Sequence, residues 1–574
     1  MIPAGDLRFV FAEKAKLVCA GVRSNKKAAS EAGGAAVASK PGSGDGVIRS
    51  DGVRIAGAVT AGENGAWRVQ EESGRSWDLG AAEVAAVESA GEFKLVGEEH
   101  AVHRAWLAVL HAEHRERLVE AFNTFLKARL TEDCKRLVDE AKRCALDTAR
   151  VGEMTAKMLA TKPPDGGTKE SQRTGPLKKE NELRKRSRAS FTEAAAWCSA
   201  NSLRLCATNL LIGGEELAPA EPKADALVAE LIPEGFPWRE DPSAGVLWRQ
   251  WAKHLLRSGG EFVPKSDTSA WRRARTAPWN AGMVILRSPN AVLYSRDETP
   301  EIVGGTLDAA EFAVRLLQRL LPPDPDASQA LLEIRLLYDR AEYLRERGAG
   351  GRLPMAWTAG YYSESEGISR FYVPRGEEAK DPLGRGFYAT ISHELTHHYL
   401  DMAWISRKAQ RSTDSVKPDL PGYWIIEGTA RFIEDQVASS LRAESGLAQR
   451  DAVSAYITKV VASENKLIKV QRLIDLPQKQ FQSLSDETLC QVPLPDDATR
   501  ALLMTERGVF YEESGCLVFF LMYRAGPDVR AKLVEYLRAT YMGTVVPEGW
   551  LALGFDKAEA LDAAFKNFVM NTNR

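Results

Sequence analysis

Residues 387–402 read FYATISHELTHHYLDM, and the pentapeptide His393-Glu394-Leu395-Thr396-His397 within them constrains the fold more than any other stretch. Two histidines four positions apart share one face of a helix, one turn apart, so both imidazoles can reach a single ion. Neutral imidazole nitrogen suits zinc. Glu394 follows the first histidine and points to the side of the metal, where it can take a proton from an activated water. The apolar and small residues FYATIS before the motif and HYLDMAW after it predict a long buried helix beginning near Phe387. Burying histidines and a glutamate without partners is costly, and a metal supplies the partner.

A catalytic zinc takes three protein ligands and leaves a fourth position open. Glu427, in YWIIEGTARFIED (423–435), is the candidate third ligand. It stands among Trp424, Ile425 and Ile426, with the small Gly428 and Ala430 after it, which suits close approach to a second helix. A first-turn glutamate complementing the helix dipole is the bland reading of the same residue. Glu434, two turns along the same face, is a candidate partner for a histidine ligand. Asp401, one turn after His397, is a second candidate for that task.

Together these motifs resemble the gluzincin metallopeptidases, which combine HExxH with a glutamate ligand on a following helix. The segment Trp424 to Glu434 looks like the W-x-x-E-G-x-A-x-x-x-E helix of the M1 aminopeptidase group. From about 280 to 545 the chain is similar to bacterial peptidase-MA-like proteins of the DUF1570 type, with Thr358-Ala-Gly-Tyr-Tyr362 and His393–Leu400 preceding that helix. Twenty-nine residues separate His397 from Glu427, more than in the M1 group, and the GAMEN motif for a substrate amine is absent from this sequence. Aminopeptidase specificity is therefore not implied. The resemblance implies a tyrosine or histidine that stabilises the oxyanion from a later helix. Tyr511, in GVFYEESGCLVFFLMY, is the best match, because a phenol can donate a hydrogen bond to a developing alkoxide; an ordinary core tyrosine is the alternative. It also implies an edge strand before the metal helix that pairs with extended substrate, for which ISRFYV (368–373) is the candidate.

The rest of the chain is read from length and pattern. Its 574 residues suggest two to four domains. With 44% hydrophobic and 27% charged residues it is globular. A net charge of −2 gives no global pull toward nucleic acid or acidic membrane, and no stretch reaches the ~18 apolar residues of a membrane span. The N-terminal apolar pieces are broken by Glu13, Lys14 and Lys16, so no secretory signal is expected, and the compartment is cytoplasmic unless a leader was removed. Seven scattered cysteines with no CxxC pair read as buried or free thiols rather than as a disulfide framework.

Residues 24–46 predict a flexible linker. Short strand-like runs over 47–88 predict a small SH3-like β-barrel or β-sandwich. Residues 98–160 predict helix, with Trp106, Leu107, Leu110, Leu118, Phe122, Phe125, Leu126 and Leu130 at helical spacing, stopped by Pro163, Pro164, Gly166 and Gly167. The basic run 178–188 predicts a solvated linker or helix face. Further on, strands are expected at 283–288, 291–296, 331–339 and 368–374. Helices are expected at 307–321, with Asp308 and Glu311 in the first turn, and then from Tyr423, Phe510 and Val529.

The expected fold is multidomain α+β: a β-barrel-like module over 1–95, a helical region over 96–275, and a zincin-like domain over 276–574 with a mixed-sheet lobe and a helical lobe. The expected function is hydrolysis of peptide bonds in a peptide or protein substrate. It uses one Zn2+ on His393, His397 and Glu427, with Glu394 as general base and Tyr511 on the oxyanion. A metal-binding scaffold without activity, or a zinc hydrolase of a non-peptide amide, are the alternatives.

Overall fold

The periodicity of the sequence changes from two to about 3.6 at residue 99, and the architecture changes with it. This computed structural model describes residues 45–50, 54–62, 66–71, 73–80, 83–89, 92–96, 99–143, 148–162, 170–218, 222–263, 283–323, 331–348, 360–375, 386–404, 421–444, 453–481, 483–494, 497–542 and 548–571. The linker expected at 24–46, save its last two residues, lies outside them. So do the stop at 163–167, Thr358, Ala359, Cys19 and Cys144. The chain is mixed α+β and divides into two compact units, Met1–Gly259 and Gly260–Arg574. The expected boundary near 95 lies inside the first unit, and the one near 275 inside the second.

The first unit opens with strands β1 (Gly46–Arg49), β2 (Arg54–Ala56), β3 (Ala58–Ala61), β4 (Trp67–Gln70), β5 (Ser76–Leu79), β6 (Val84–Ser89) and β7 (Glu92–Leu95). Among the described residues they do not close into a barrel, one of the two forms expected. They form two antiparallel sheets, β2-β1-β6-β7 and β3-β4-β5. Val47, Ile55, Val84 and Val87 of one sheet share a core with Val69 and Leu79 of the other. The chain steps between sheets at Gly57, where any Cβ would sit 2.4 Å from the Gln70 carbonyl oxygen. The helices that follow are α1 (Glu99–Lys127), α2 (Thr131–Arg143), α3 (Thr148–Ala160), α4 (Glu170–Ala200), α5 (Arg204–Glu215), α6 (Pro222–Leu231) and α7 (Ala244–Ser258). Phe122 and Phe125 of α1 pack with Leu137, Met154 and Leu183. The basic run is a helix face of α4, not a linker. Lys178, Lys185 and Arg186 are exposed, while Arg184 turns inward onto Glu140 (2.9 Å) and Glu180 (2.8 Å).

The second unit is built on β8 (Glu261–Phe262), β9 (Val284–Arg287), β10 (Ala291–Ser295), β11 (Leu332–Leu337), β12 (Gly360–Ser363) and β13 (Ile368–Tyr372), in the order β12-β13-β11-β10-β9-β8. β10, β11 and β13 run parallel, and β12 and β9 are antiparallel to their neighbours. Between strands lie α8 (Pro300–Leu320) and α9 (Arg340–Gly348). Every residue of β10, β11 and β13 is buried, as parallel strands require. This corrects one expectation: the 368–373 strand is interior, and among the described residues β12 is the edge on that side. A second correction concerns α8, which begins at Pro300 rather than Leu307, with proline in its first turn. Asp308 and Glu311 are therefore interior. Glu311 is buried and accepts the Asn290 main-chain N–H (2.9 Å) and side-chain amide (2.8 Å), fixing the β9–β10 turn.

The chain then becomes mostly helical: α10 (Phe387–Trp404), α11 (Tyr423–Glu444), α12 (Val453–Ser463), α13 (Val470–Asp475), the hairpin β14 (Thr488–Leu494) and β15 (Asp497–Thr505), α14 (Glu506–Tyr523), α15 (Pro527–Tyr541) and α16 (Ala558–Asn571). α10 packs between α8 and α11, and α11 packs on α14. Among the described residues no helix is long and apolar enough to cross a membrane.

Candidate metal centre

α10 is buried on two opposite sides, by Ile391 and Leu395 on one and by Leu400 and Trp404 on the other. Its buried hydroxyls bond back along the helix, Ser392 to the Ala389 carbonyl (2.6 Å) and Thr396 to that of Ser392 (2.8 Å). This frame presents His393 and His397 one turn apart, with ring centroids 5.1 Å apart. Opposite them α11 presents Glu427. Its Oε2 lies 3.3 Å from His393 Nε2 and 3.7 Å from His397 Nε2. One donor atom from each of the three residues lies within 4.8 Å of the others, and among the described residues they are the group that could hold a metal ion.

The other ring nitrogens point outward to partners. His393 Nδ1 lies 3.1 Å from Glu434 Oε2, and His397 Nδ1 lies 3.4 Å from the Tyr541 hydroxyl at the end of α15. Both imidazoles are thus turned so that their Nε2 atoms converge on the Glu427 carboxylate, the orientation two histidine ligands of one ion require. Arg431 donates to Glu434 (2.6 Å). Positions 427, 431 and 434 follow one face of α11, so a single stripe carries a carboxylate donor, a cation and a second carboxylate.

The buried imidazoles and carboxylates shift one another. Burial alone would strip His393 of its proton, but Glu427 and Glu434 outweigh it and push its pKa up to about 9. Burial pushes Glu427 up, yet His397 and His393 together hold it well below the usual carboxylate range. Glu394 moves the other way. Burial raises it, and the neighbouring imidazoles only partly counter that. Its Oε2 accepts the main-chain N–H of Tyr362 (3.1 Å) on β12.

Of the residues the sequence singled out, His393, His397, Glu427, Glu394, Glu434 and Tyr511 gather here. The Tyr511 ring lies 6.4 Å from that of His393, under the Arg431 guanidinium at 5.6 Å. Its hydroxyl is hydrogen-bonded to Tyr423, which also bonds Glu427, and burial pushes both phenols up. Asp401 is placed differently. Its carboxylate accepts the Tyr362 hydroxyl (2.5 Å). His398 faces the sheet, bonding Ser369 (3.0 Å) and stacking on Tyr362 at 4.6 Å, and burial lowers its pKa to about 3.

Tyr362, Tyr423, Arg431 and Tyr541 were not singled out. Arg431 was legible, being four residues after one candidate carboxylate and three before another. Tyr541 lies 144 residues after His397 and carries no local signal. No family model matches the chain, and no curated protein sequence matches it.

Proposed function

We propose that the second unit is a gluzincin-like zinc hydrolase that cleaves peptide bonds, its sheet forming one lobe and its later helices the other. The observation that carries this reading is the convergence of His393, His397 and Glu427, with Glu394 beside them. These three residues would hold one Zn2+. Zinc bound there supplies Lewis acidity, which makes a water acidic near neutral pH and polarises a carbonyl. Glu394 takes the proton of the attacking water and passes it to the leaving amine, and its burial supports that role by raising its basicity. Tyr511 keeps its phenolic proton and, with Tyr423, offers a hydrogen bond to the developing oxyanion.

One feature favours a peptide over another amide. Among the described residues β12 is one of the sheet's two edge strands, its Tyr362 N–H reaches Glu394, and an extended peptide can add to such an edge. The test is a broad peptide-library digest of the full chain with and without chelator, alongside metal analysis. Cleavage that chelator abolishes and zinc restores is expected. Glu394→Gln should keep its metal and lose hydrolysis by at least about a hundredfold. Cleavage by the metal-free protein, or full activity in that variant, refutes the reading; stoichiometric zinc with no cleavage of peptides favours the scaffold alternative.

A further inference from the structure

Cys198 and Cys206 stand at the corner between α4 and α5, fully buried, with their sulfurs 3.1 Å apart. The corner is fixed by main-chain bonds. Ser202 adopts a left-handed φ of 64°, and Leu203 N–H returns to the Cys198 carbonyl (2.9 Å). On the other side the Cys206 N–H donates to the Glu99 carboxylate of α1 (2.8 Å). Each cysteine therefore sits on a rigid helix, and closing the gap to the ~2.05 Å of a disulfide needs a sulfur movement of only about 1 Å. Other thiols have different surroundings: Cys134 approaches the Phe122 carbonyl (3.9 Å), and Cys516 lies beside Thr458.

We propose that Cys198 and Cys206 form a disulfide whenever the chain folds in the presence of a disulfide oxidant, and that this bond is a permanent staple of the α4–α5 corner. This inference is independent of the reading of the second unit. In the exchange, one thiolate attacks glutathione disulfide and releases one glutathione. The second cysteine then displaces the other glutathione, so two thiols lose two protons and two electrons and one external disulfide is reduced. Burial sets the timing. With both sulfurs at 0% exposure no oxidant reaches them in the folded chain, and burial, with the neighbouring Cys198, raises the Cys206 thiol well above its ordinary value. The bond must close while the corner is still open, and once buried it resists reduction.

Arg204 lies between the two cysteines, so trypsin reports the bond directly. The full chain is produced once in an oxidising and once in a reducing host compartment, its free thiols are alkylated under denaturing conditions, and the digests are compared by mass. Peptides 189–204 and 205–223 are expected as one linked species, split by reductant, from the oxidising preparation only. The linked protein should melt about 5 °C higher in its first unit. Folded reduced protein should resist glutathione disulfide, whereas the same protein refolded from urea in a glutathione redox buffer should become linked. Two separately alkylated peptides from both the oxidising preparation and the refolded protein overturn the proposal. So does a link from either cysteine to a third, while rapid oxidation of the folded protein overturns the staple in favour of an accessible redox pair.

Discussion

Tyr362 ties β12 to α10 with three groups. Its main-chain N–H reaches Glu394, its ring stacks on His398 and its hydroxyl bonds Asp401. Those positions follow one another by four and three residues along one face of α10. The placement of the Glu394 carboxylate thus depends on where β12 lies. Tyr362→Phe removes only the hydroxyl bond, and should cost about 1–2 kcal/mol in urea denaturation while leaving metal content unchanged. The two histidines invite a sharper comparison. His393 has a carboxylate partner at 3.1 Å and His397 a phenol at 3.4 Å. A charge-assisted partner orients a ligand more firmly than a neutral one. Glu434→Gln should therefore weaken zinc binding by about 10–100-fold, and Tyr541→Phe by less. Competition against a chromophoric chelator measures both, and the reverse order would refute this ranking of the two partners.

At the scale of elements, the contact that sets the candidate metal donor Glu427 is the crossing of α11 over α14. A Cβ on Gly428 would meet the Ser514 carbonyl oxygen at 2.6 Å, and one on Gly515 would meet Arg431 Cγ at 2.6 Å. The first obstacle is backbone and cannot move without separating the helices; the second is the inner part of a side chain, which can shift without moving a backbone. Gly428→Ala should lower the urea midpoint by an amount equivalent to about 1–3 kcal/mol and also weaken zinc binding, because Glu427 moves with its helix. Gly515→Ala should do less. A Gly428→Ala protein with unchanged midpoint and affinity would contradict the crossing. The sequence announced this contact, since glycine and alanine beside a glutamate on an apolar helix mark close approach. It announced α10 and α11 for the same reason: ligand spacing and apolar periodicity are local. Strand order is not local. β13 reads ISRFY, whose polar Ser369 and Arg370 hide its interior place, and only the folded chain shows it buried and Tyr361, Tyr362 and Ser363 half-buried. Thr299-Pro300 was a legible helix start that the apolar stripe from Leu307 obscured. The pairing of Cys198 with Cys206 was hidden because it depends on how α4 and α5 turn at Ser202.

For the whole molecule, two compact units imply two thermal components with different sensitivities. Zinc should raise only the component of the second unit, because binding stabilises the state that binds. Acid should lower both components, the second through His398, which burial holds at about 3, and the first through His103. Burial, reinforced by the nearby charges of His111, His100, Arg104 and Arg257, pushes His103 down from 6.5 to about 4. Its folded pKa lies below its unfolded one, so the unfolded chain binds more protons between those values. The contribution is complete above pH 6.5 and is lost as pH falls toward 4, with about 2 kcal/mol gone by pH 5. Glu140 extends the loss downward. Burial raises its pKa, but His114 and Arg184 outweigh that and hold it at about 2, below the ordinary 4.5. Its contribution is present above pH 4.5 and is lost as pH falls through 2. Calorimetry of the full chain at pH 7 and pH 5 should show the first component falling by several degrees, with His103→Leu removing most of that fall. An equal fall in the variant would show that the acid sensitivity lies elsewhere. A single transition in place of two would show that the two units unfold as one.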